Sequence, residues 1–118
     1  MPTTGKNILI IDDETDLCLL LKDYFVKKNY DVIVSHTLRE GKTILCSLHP
    51  RILFLDNNLP DGAGWELAPG IAIDFPDTYI VLISAFHSTV PKMPAGSLFR
   101  VIEKPISMSD LNKQFSEL

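Results

Sequence analysis

No apolar run in this chain approaches the roughly eighteen residues that a membrane-spanning helix requires. The N-terminus does not read as a signal peptide either, because Lys6 is followed only by Ile8, Leu9, Ile10 and Ile11 before acidic residues begin. Cysteine is scarce: the chain holds 2, Cys18 and Cys46, with no CxxC pair. Each lies between long aliphatics in a helix-like stretch and reads as a reduced, buried small hydrophobe. Positive charge is in deficit, with 11 Lys and Arg against 15 Asp and Glu and a formal net charge of -4. Without a basic stripe or an arginine cluster, direct nucleic-acid contact by this domain is not expected. The 3 histidines, His36, His49 and His87, lack metal-ligand spacing, so surface or turn roles are expected of each. A cytoplasmic protein with no membrane partner is the resulting expectation, and 118 residues allow one domain, 1–118, around one core.

What the chain does have is a regular alternation of strand and helix patterns. Arg51-Ile52-Leu53-Phe54-Leu55-Asp56 sets four apolar residues in a row before one carboxylate, and the turn formers Asn57-Asn58-Leu59-Pro60-Asp61-Gly62-Ala63-Gly64 follow. An unbroken apolar run bounded by turn signals suits a strand buried on both faces. Lys6-Asn7-Ile8-Leu9-Ile10-Ile11 has the same character and runs into Asp12-Asp13-Glu14. Tyr79-Ile80-Val81-Leu82-Ile83 leads to Ser84 and Ala85. Asp31-Val32-Ile33-Val34-Ser35 is a short β-branched strand, and Leu98-Phe99-Arg100-Val101-Ile102 is the last one, followed by Glu103-Lys104-Pro105.

Between these strands, Leu17, Leu20, Leu21, Tyr24 and Phe25 follow helical spacing, and Asn29 is placed to end that helix. Thr37 and Glu40 have capping-box spacing ahead of Gly41, Ile44, Leu45 and Leu48, and Pro50 stops the second helix. A third helix is expected over residues 64–75, burying Leu67, Ile71, Ala72 and Phe75. Pro69 would break an interior hydrogen bond, so this helix must start late, near Glu66, or kink. Trp65 is expected against its lower part, with an indole N–H that needs a partner if buried. Pro91, Pro94 and Gly96 leave residues 86–98 a short distorted helix or an irregular loop. Ser107 and Asp110 have capping-box spacing for the last helix, whose buried stripe is Leu111, Phe115 and Leu118.

Repeated strand and helix predict an α/β fold: a single doubly wound five-stranded parallel sheet with helices on both faces and the fourth helix short or irregular. In the strand order 2-1-3-4-5 a crevice opens between the first and third strands, where Asp12 and Asp13 would face Asp56. Ser84 and Lys104 end the fourth and fifth strands and would line the same rim. Three carboxylates this close repel one another unless a cation compensates or some take up protons. Hard oxygen ligands of this kind suit Mg²⁺, which binds a few carboxylates and is often completed by phosphate. Lys104 adds a positive point charge able to hold a phosphoryl oxygen or pair with Asp56, and Ser84 adds a hydroxyl donor. With the charge balanced, one carboxylate can attack phosphorus and form an aspartyl phosphate. Glu14 is expected to do less, supplying negative charge to the N-terminus of the first helix. Asn57 and Asn58 are ordinary turn residues by chemistry, with side chains that can face a phosphoryl group.

Asp12-Asp13, Asp56 with Pro60 and Gly64 downstream, Ser84-Ala85, and Lys104-Pro105 occur in that order along the chain. The set resembles the receiver domain of two-component response regulators, and the resemblance covers essentially the whole chain. It implies that Asp13 ligates Mg²⁺ directly and that Asp12 contributes more indirectly, often through water. Asp56 would be both metal ligand and phosphoacceptor, with the backbone carbonyl of Asn58 also on the metal. The phosphoryl group would come from a phosphohistidine on a sensor histidine kinase or a histidine phosphotransfer protein. Ser84 would swing toward it, Lys104 would bind it, and an unknown downstream protein would read the result.

Two departures stand out. Receivers generally carry Tyr or Phe where this chain has Val101; Phe99 has the same strand parity but lies one pair earlier, and is not expected to substitute. The proline-broken segment between Ser84 and Lys104 is also short for the family. The phosphorylation residues are thus all present, while the usual relay is altered. The leading expectation is a phosphorylatable switch; the alternative is a degenerate receiver that binds a partner regardless of phosphorylation. A phosphohydrolase acting on small molecules is disfavoured, because the chain leaves no lid to enclose a substrate.

Overall fold

The computed structural model describes residues 6–85 and 89–117. Five parallel strands form the main sheet in the order β2-β1-β3-β6-β7: β1 is Asn7–Ile11, β2 Asp31–Ser35, β3 Ile52–Asp56, β6 Tyr79–Ser84 and β7 Phe99–Glu103. Counted along the chain, that is the expected 2-1-3-4-5. Two short strands, β4 (Asn58–Leu59) and β5 (Gly62–Ala63), pair antiparallel beyond the end of β3. The helices are α1 (Thr15–Val26), α2 (Leu38–Leu48), α3 (Ala68–Asp74) and α4 (Met108–Phe115).

The three central strands carry unbroken apolar runs, at residues 8–11, 52–55 and 80–83, and both of their faces are covered. On one face Ile8, Ile10, Phe54, Val81 and Ile83 pack against Leu21 and Phe25 of α1 and Leu111 and Phe115 of α4. Phe25, Phe54 and Phe115 meet edge to face or tilted, with ring centroids 5.5 to 5.7 Å apart. On the other face Leu9, Ile11, Leu53, Leu55 and Leu82 pack against Leu45 of α2 and Ala68 and Ile71 of α3. Gly41 lets α2 approach closely: a Cβ there would lie 2.5 Å from Cδ1 of Ile11.

The helix ends follow local chemistry. Asn29 takes the left-handed conformation at φ 68° just beyond α1, where Tyr30 N–H donates to the Phe25 carbonyl. His49, also left-handed, ends α2 ahead of Pro50 and meets the Phe75 ring at a tilt, so its turn role holds. Ser107 and Asp110 complete both arms of the capping box on α4. Residues Gly64–Leu67 form a 3₁₀ turn and α3 begins only at Ala68. This is later than Glu66, and it makes Pro69 a first-turn residue whose missing N–H costs nothing.

Cys18 is buried as expected, but Cys46 is exposed. Its long aliphatic neighbours concealed the helix phase: Leu38, Gly41 and Leu45 define the buried stripe, and Cys46 lies about 100° round from Leu45. His36 is exposed, while His87 and Leu118 lie outside the described residues.

Between β6 and β7, residues 89–98 contain no helix; their one turn is at residues 95–96, with Gly96 at φ 80°. Met93 of this segment and Phe99 pack against the α2–α3 side of the core, covering apolar sheet that a helix would otherwise cover. Residues 86–88, part of the expected irregular stretch, lie outside the described residues.

Candidate functional site

The C-terminal ends of β1, β3, β6 and β7 converge on one rim of the sheet. Asp12, directly after β1, is fully buried, and its N–H donates to the Ser35 carbonyl at 3.0 Å. Asp56 closes β3 and is 2% exposed. Asp13 is exposed beside them, and one carboxylate oxygen from each of the three lies within 4.8 Å of the others. Ser84 ends β6, buried, and its carbonyl accepts the Lys104 N–H at 2.7 Å. Lys104 begins a cis peptide to Pro105 and sends its ammonium back over the acids.

The ammonium pairs with Asp56 as expected, but that contact is the longest of the three it makes with carboxylates. Lys104 Nζ is 2.9 Å from Glu14 Oε2, 3.3 Å from Asp12 Oδ2 and 3.7 Å from Asp56 Oδ1. Glu14 does more than bring the expected negative charge to the start of α1. Glu14 stands at the N-cap of α1, yet its side chain makes no capping hydrogen bond and its carboxylate holds Lys104 instead. The cap bond is made by its backbone, whose N–H donates to Asp12 Oδ1 at 2.8 Å.

Charge at the site is out of balance. Burial, then the Asp12 charge, pushes the Asp56 carboxyl up to about 6, against the pull of Lys104 and of the Asn58 and Asn57 N–H groups. Burial raises Asp12 as well, opposed by the Glu14 N–H and by Lys104. For Lys104, burial works against the cation, but the Glu14 bond and the Asp12 and Asp56 charges outweigh it and the net direction is up. Asp12 Oδ2 is buried with no hydrogen-bond donor beyond its ion pair to Lys104. Buried acids in excess of the local cation, one with an undonated oxygen, fit a hard divalent ion of the Mg²⁺ class.

The loop after β3 is tied down on three sides. Gly64 N–H donates to the Asn57 carbonyl at 3.0 Å, and Trp65 N–H donates to Asn57 Oδ1 at 3.2 Å. The Asn57 side chain is therefore engaged in the turn rather than free to face the rim. A Cβ on Gly64 would fall 2.1 Å from the Asp56 carbonyl oxygen, so the loop can close this tightly only with glycine there. Trp65 is 3% exposed, and its indole N–H finds its partner in the Leu55 carbonyl at 3.2 Å. Asp61 reaches from the loop to the first turn of α2.

The sequence model of the response regulator receiver domain matches residues 8–116. The chain belongs to this family. Receiver domains are phosphoacceptors that catalyse their own phosphorylation and dephosphorylation and are not conventional enzymes; the Asp12, Asp13 and Asp56 cluster is of the kind that coordinates Mg²⁺ in them. This receiver is 28% identical over 111 residues to the response regulator protein PilR of Pseudomonas aeruginosa, covering 92% of the chain and 25% of PilR. With the response regulator SaeR of Staphylococcus epidermidis it shares 27% identity, covering 89% of the chain and 46% of SaeR. The chain thus spans less than half the length of either relative. Its fold matches a CheY-like receiver domain protein from Methanospirillum hungatei with a TM-score of 0.79 at 24% identity, over 97% of this chain and 93% of that one. It also matches the beryllofluoride-activated NtrC4 receiver domain dimer, with a TM-score of 0.77 at 24% identity, over 95% and 94% of the two chains.

Of the residues singled out from sequence, Asp12, Asp13, Asp56, Ser84 and Lys104 all reach this receiver's acidic rim. Asn58 is exposed in the adjoining ribbon, its N–H turned to the Asp56 carboxylate. Val101 is 37% exposed on β7, while Phe99 is partly buried against the core. Two residues that the sequence does not mark for the site, Glu14 and Asp61, act at it and beside it. No local pattern marks either one, since their partners are distant in sequence. No helix among the described residues is long and apolar enough to cross a membrane.

Proposed function

We propose that residues 1–118 act as one receiver in the cytoplasm, with Asp56 as the phosphoacceptor. The observation that carries this is the Asp56 carboxylate itself: buried at a strand end, grouped with Asp12 and Asp13, with the Lys104 ammonium 3.7 Å away. Mg²⁺, held by the carboxylates of Asp12, Asp13 and Asp56 and the Asn58 carbonyl, would offset the charge of the incoming phosphoryl oxygens. An Asp56 oxygen attacks phosphorus of a phosphohistidine on a sensor histidine kinase or histidine phosphotransfer protein. The new O–P bond forms as the P–N bond breaks, and its electron pair stays on the imidazole nitrogen, which gains a proton from solvent. Lys104 then binds a phosphoryl oxygen and Ser84 donates to another. Attack of water on the aspartyl phosphate later returns the carboxylate and inorganic phosphate. A downstream protein would read the phosphorylated surface without this domain touching nucleic acid.

Incubation with Mg²⁺ and acetyl phosphate should add one phosphoryl group of about 80 Da to the intact mass. The gain should be labile and absent from Asp56→Asn. No gain, with Mg²⁺ binding confirmed and a known receiver phosphorylated in parallel, would remove Asp56 as acceptor.

A second reading draws on Val101, exposed where receivers carry an aromatic, and on residues 89–98, which form no helix. It is a partner-binding module held in one conformation. Equal partner affinity of the phosphorylated and unmodified protein would favour it; a difference would favour the switch.

A further inference from the structure

We infer that Glu14 is a positioning residue that draws the Lys104 ammonium to the outer edge of the acidic cluster until a phosphoryl group is on Asp56. The inference rests on the receiver reading above and adds a residue to it.

The ammonium is shared unequally. Its shortest contact is with Glu14 at 2.9 Å, and its longest is with Asp56 at 3.7 Å. The Glu14 side chain is 53% exposed, whereas Asp12 and Asp56 are at 0% and 3%. Glu14 therefore pulls from the rim and the two buried acids pull from below. A lysine drawn fully onto Asp12 and Asp56 would occupy the oxygens a divalent ion needs and would repel that ion. By holding the ammonium outward, Glu14 favours metal entry. The opposite holds once Asp56 carries a phosphoryl group. Lys104 must then leave Glu14 to reach the new oxygens, and the Glu14 carboxylate is left facing added negative charge. One side chain thus acts with opposite sign on the two ligands. The capping of α1 is separate from this, because the bond to Asp12 Oδ1 comes from the Glu14 backbone.

The test compares wild type, Glu14→Gln, Glu14→Asp and Asp16→Asn. Asp16 lies in the first turn of α1, so its variant removes a nearby charge that does not pair with Lys104. Mg²⁺ affinity is measured by calorimetry, and beryllofluoride affinity at saturating Mg²⁺ in the same way. The ¹⁵N shift of Lys104 Nζ is followed by NMR. Glu14→Gln should weaken Mg²⁺ about two- to fivefold, the worth of a partly exposed ion pair, and tighten beryllofluoride by a similar factor. Glu14→Asp keeps the charge but withdraws it by one methylene, and should move both affinities the same way by less. Both variants should shift the Lys104 Nζ signal, and Asp16→Asn should not. Equal changes in Glu14→Gln and Asp16→Asn, or an unmoved Lys104 signal, would overturn the inference and leave the receiver reading intact. Wild type that binds neither Mg²⁺ nor beryllofluoride would overturn the receiver reading, and this inference with it.

Discussion

Asp61 caps α2 from outside the helix: its Oδ1 accepts the Leu38 N–H at 2.8 Å and its Oδ2 the Arg39 N–H at 3.0 Å. Thr37 Oγ1 takes the Glu40 N–H at 3.2 Å, so one borrowed carboxylate and one local hydroxyl satisfy the helix start between them. The loop that follows Asp56 is thereby fastened to α2.

Asp61→Ala should lower the unfolding midpoint and loosen that loop. The two backbone bonds hold the Asp61 carboxyl below its ordinary 3.8. A depressed folded value means the contribution is present above pH 3.8 and lost as pH falls through the folded value. The gap between wild type and variant should therefore be full at neutral pH and should close in acid. A gap that persists unchanged at pH 2 would rule out the charged cap; thermal melts across that range would show it.

Gly64→Ala places a methyl against a backbone oxygen rather than a yielding side chain. The loop or the end of β3 must shift, at about 1–3 kcal/mol for a forced overpacking. Urea unfolding should show that loss, together with weaker Mg²⁺ binding. An alanine variant equal to wild type in both would mean that the close approach relaxes freely.

Asp56→Asn should be more stable than wild type in metal-free buffer at pH 7.5. Burial and the Asp12 charge raise the Asp56 carboxyl to about 6. The contribution of a raised acid is full below its unfolded value and is lost as pH rises through the folded one. At pH 7.5 the ionised carboxylate is thus a net cost that asparagine removes. Saturating Mg²⁺ should stabilise wild type by mass action and reverse or narrow the order. Melts with and without Mg²⁺ decide it: wild type above the variant in metal-free buffer would refute the charge imbalance.

The two thiols should react at very different rates. Cys46 is exposed, whereas Cys18 is buried with its S–H donated to the Asp12 carbonyl at 3.3 Å. Burial, with the Asp12 charge next, pushes the Cys18 thiol up to about 12. Ellman's reagent at pH 8 should titrate one thiol quickly in the native protein and the second only on unfolding. Two fast thiols would show that the packing around Asp12 opens readily.

The strand ends were legible in the sequence because each chemical group follows an apolar run. Runs such as Ile52 to Leu55 fix the strand, and the strand fixes where Asp56 emerges. Glu14 and Asp61 were not legible, since each acts on a partner brought near only by the assembled sheet. Cys46 reads as buried and is exposed, because aliphatic neighbours do not reveal helix phase when the stripe is narrow. The start of α3 at Ala68 was partly legible: proline demanded a late beginning, and the 3₁₀ turn that absorbs Gly64–Leu67 is what tertiary packing added.

Trp65 is the chain's single tryptophan, and its indole is bonded to the carbonyl one residue ahead of Asp56. The protein therefore carries a native fluorophore wired to the strand that bears the acceptor. Its emission should respond when ions or phosphoryl mimics draw on that carboxylate, so the domain can be followed by light without a label and at its own sequence.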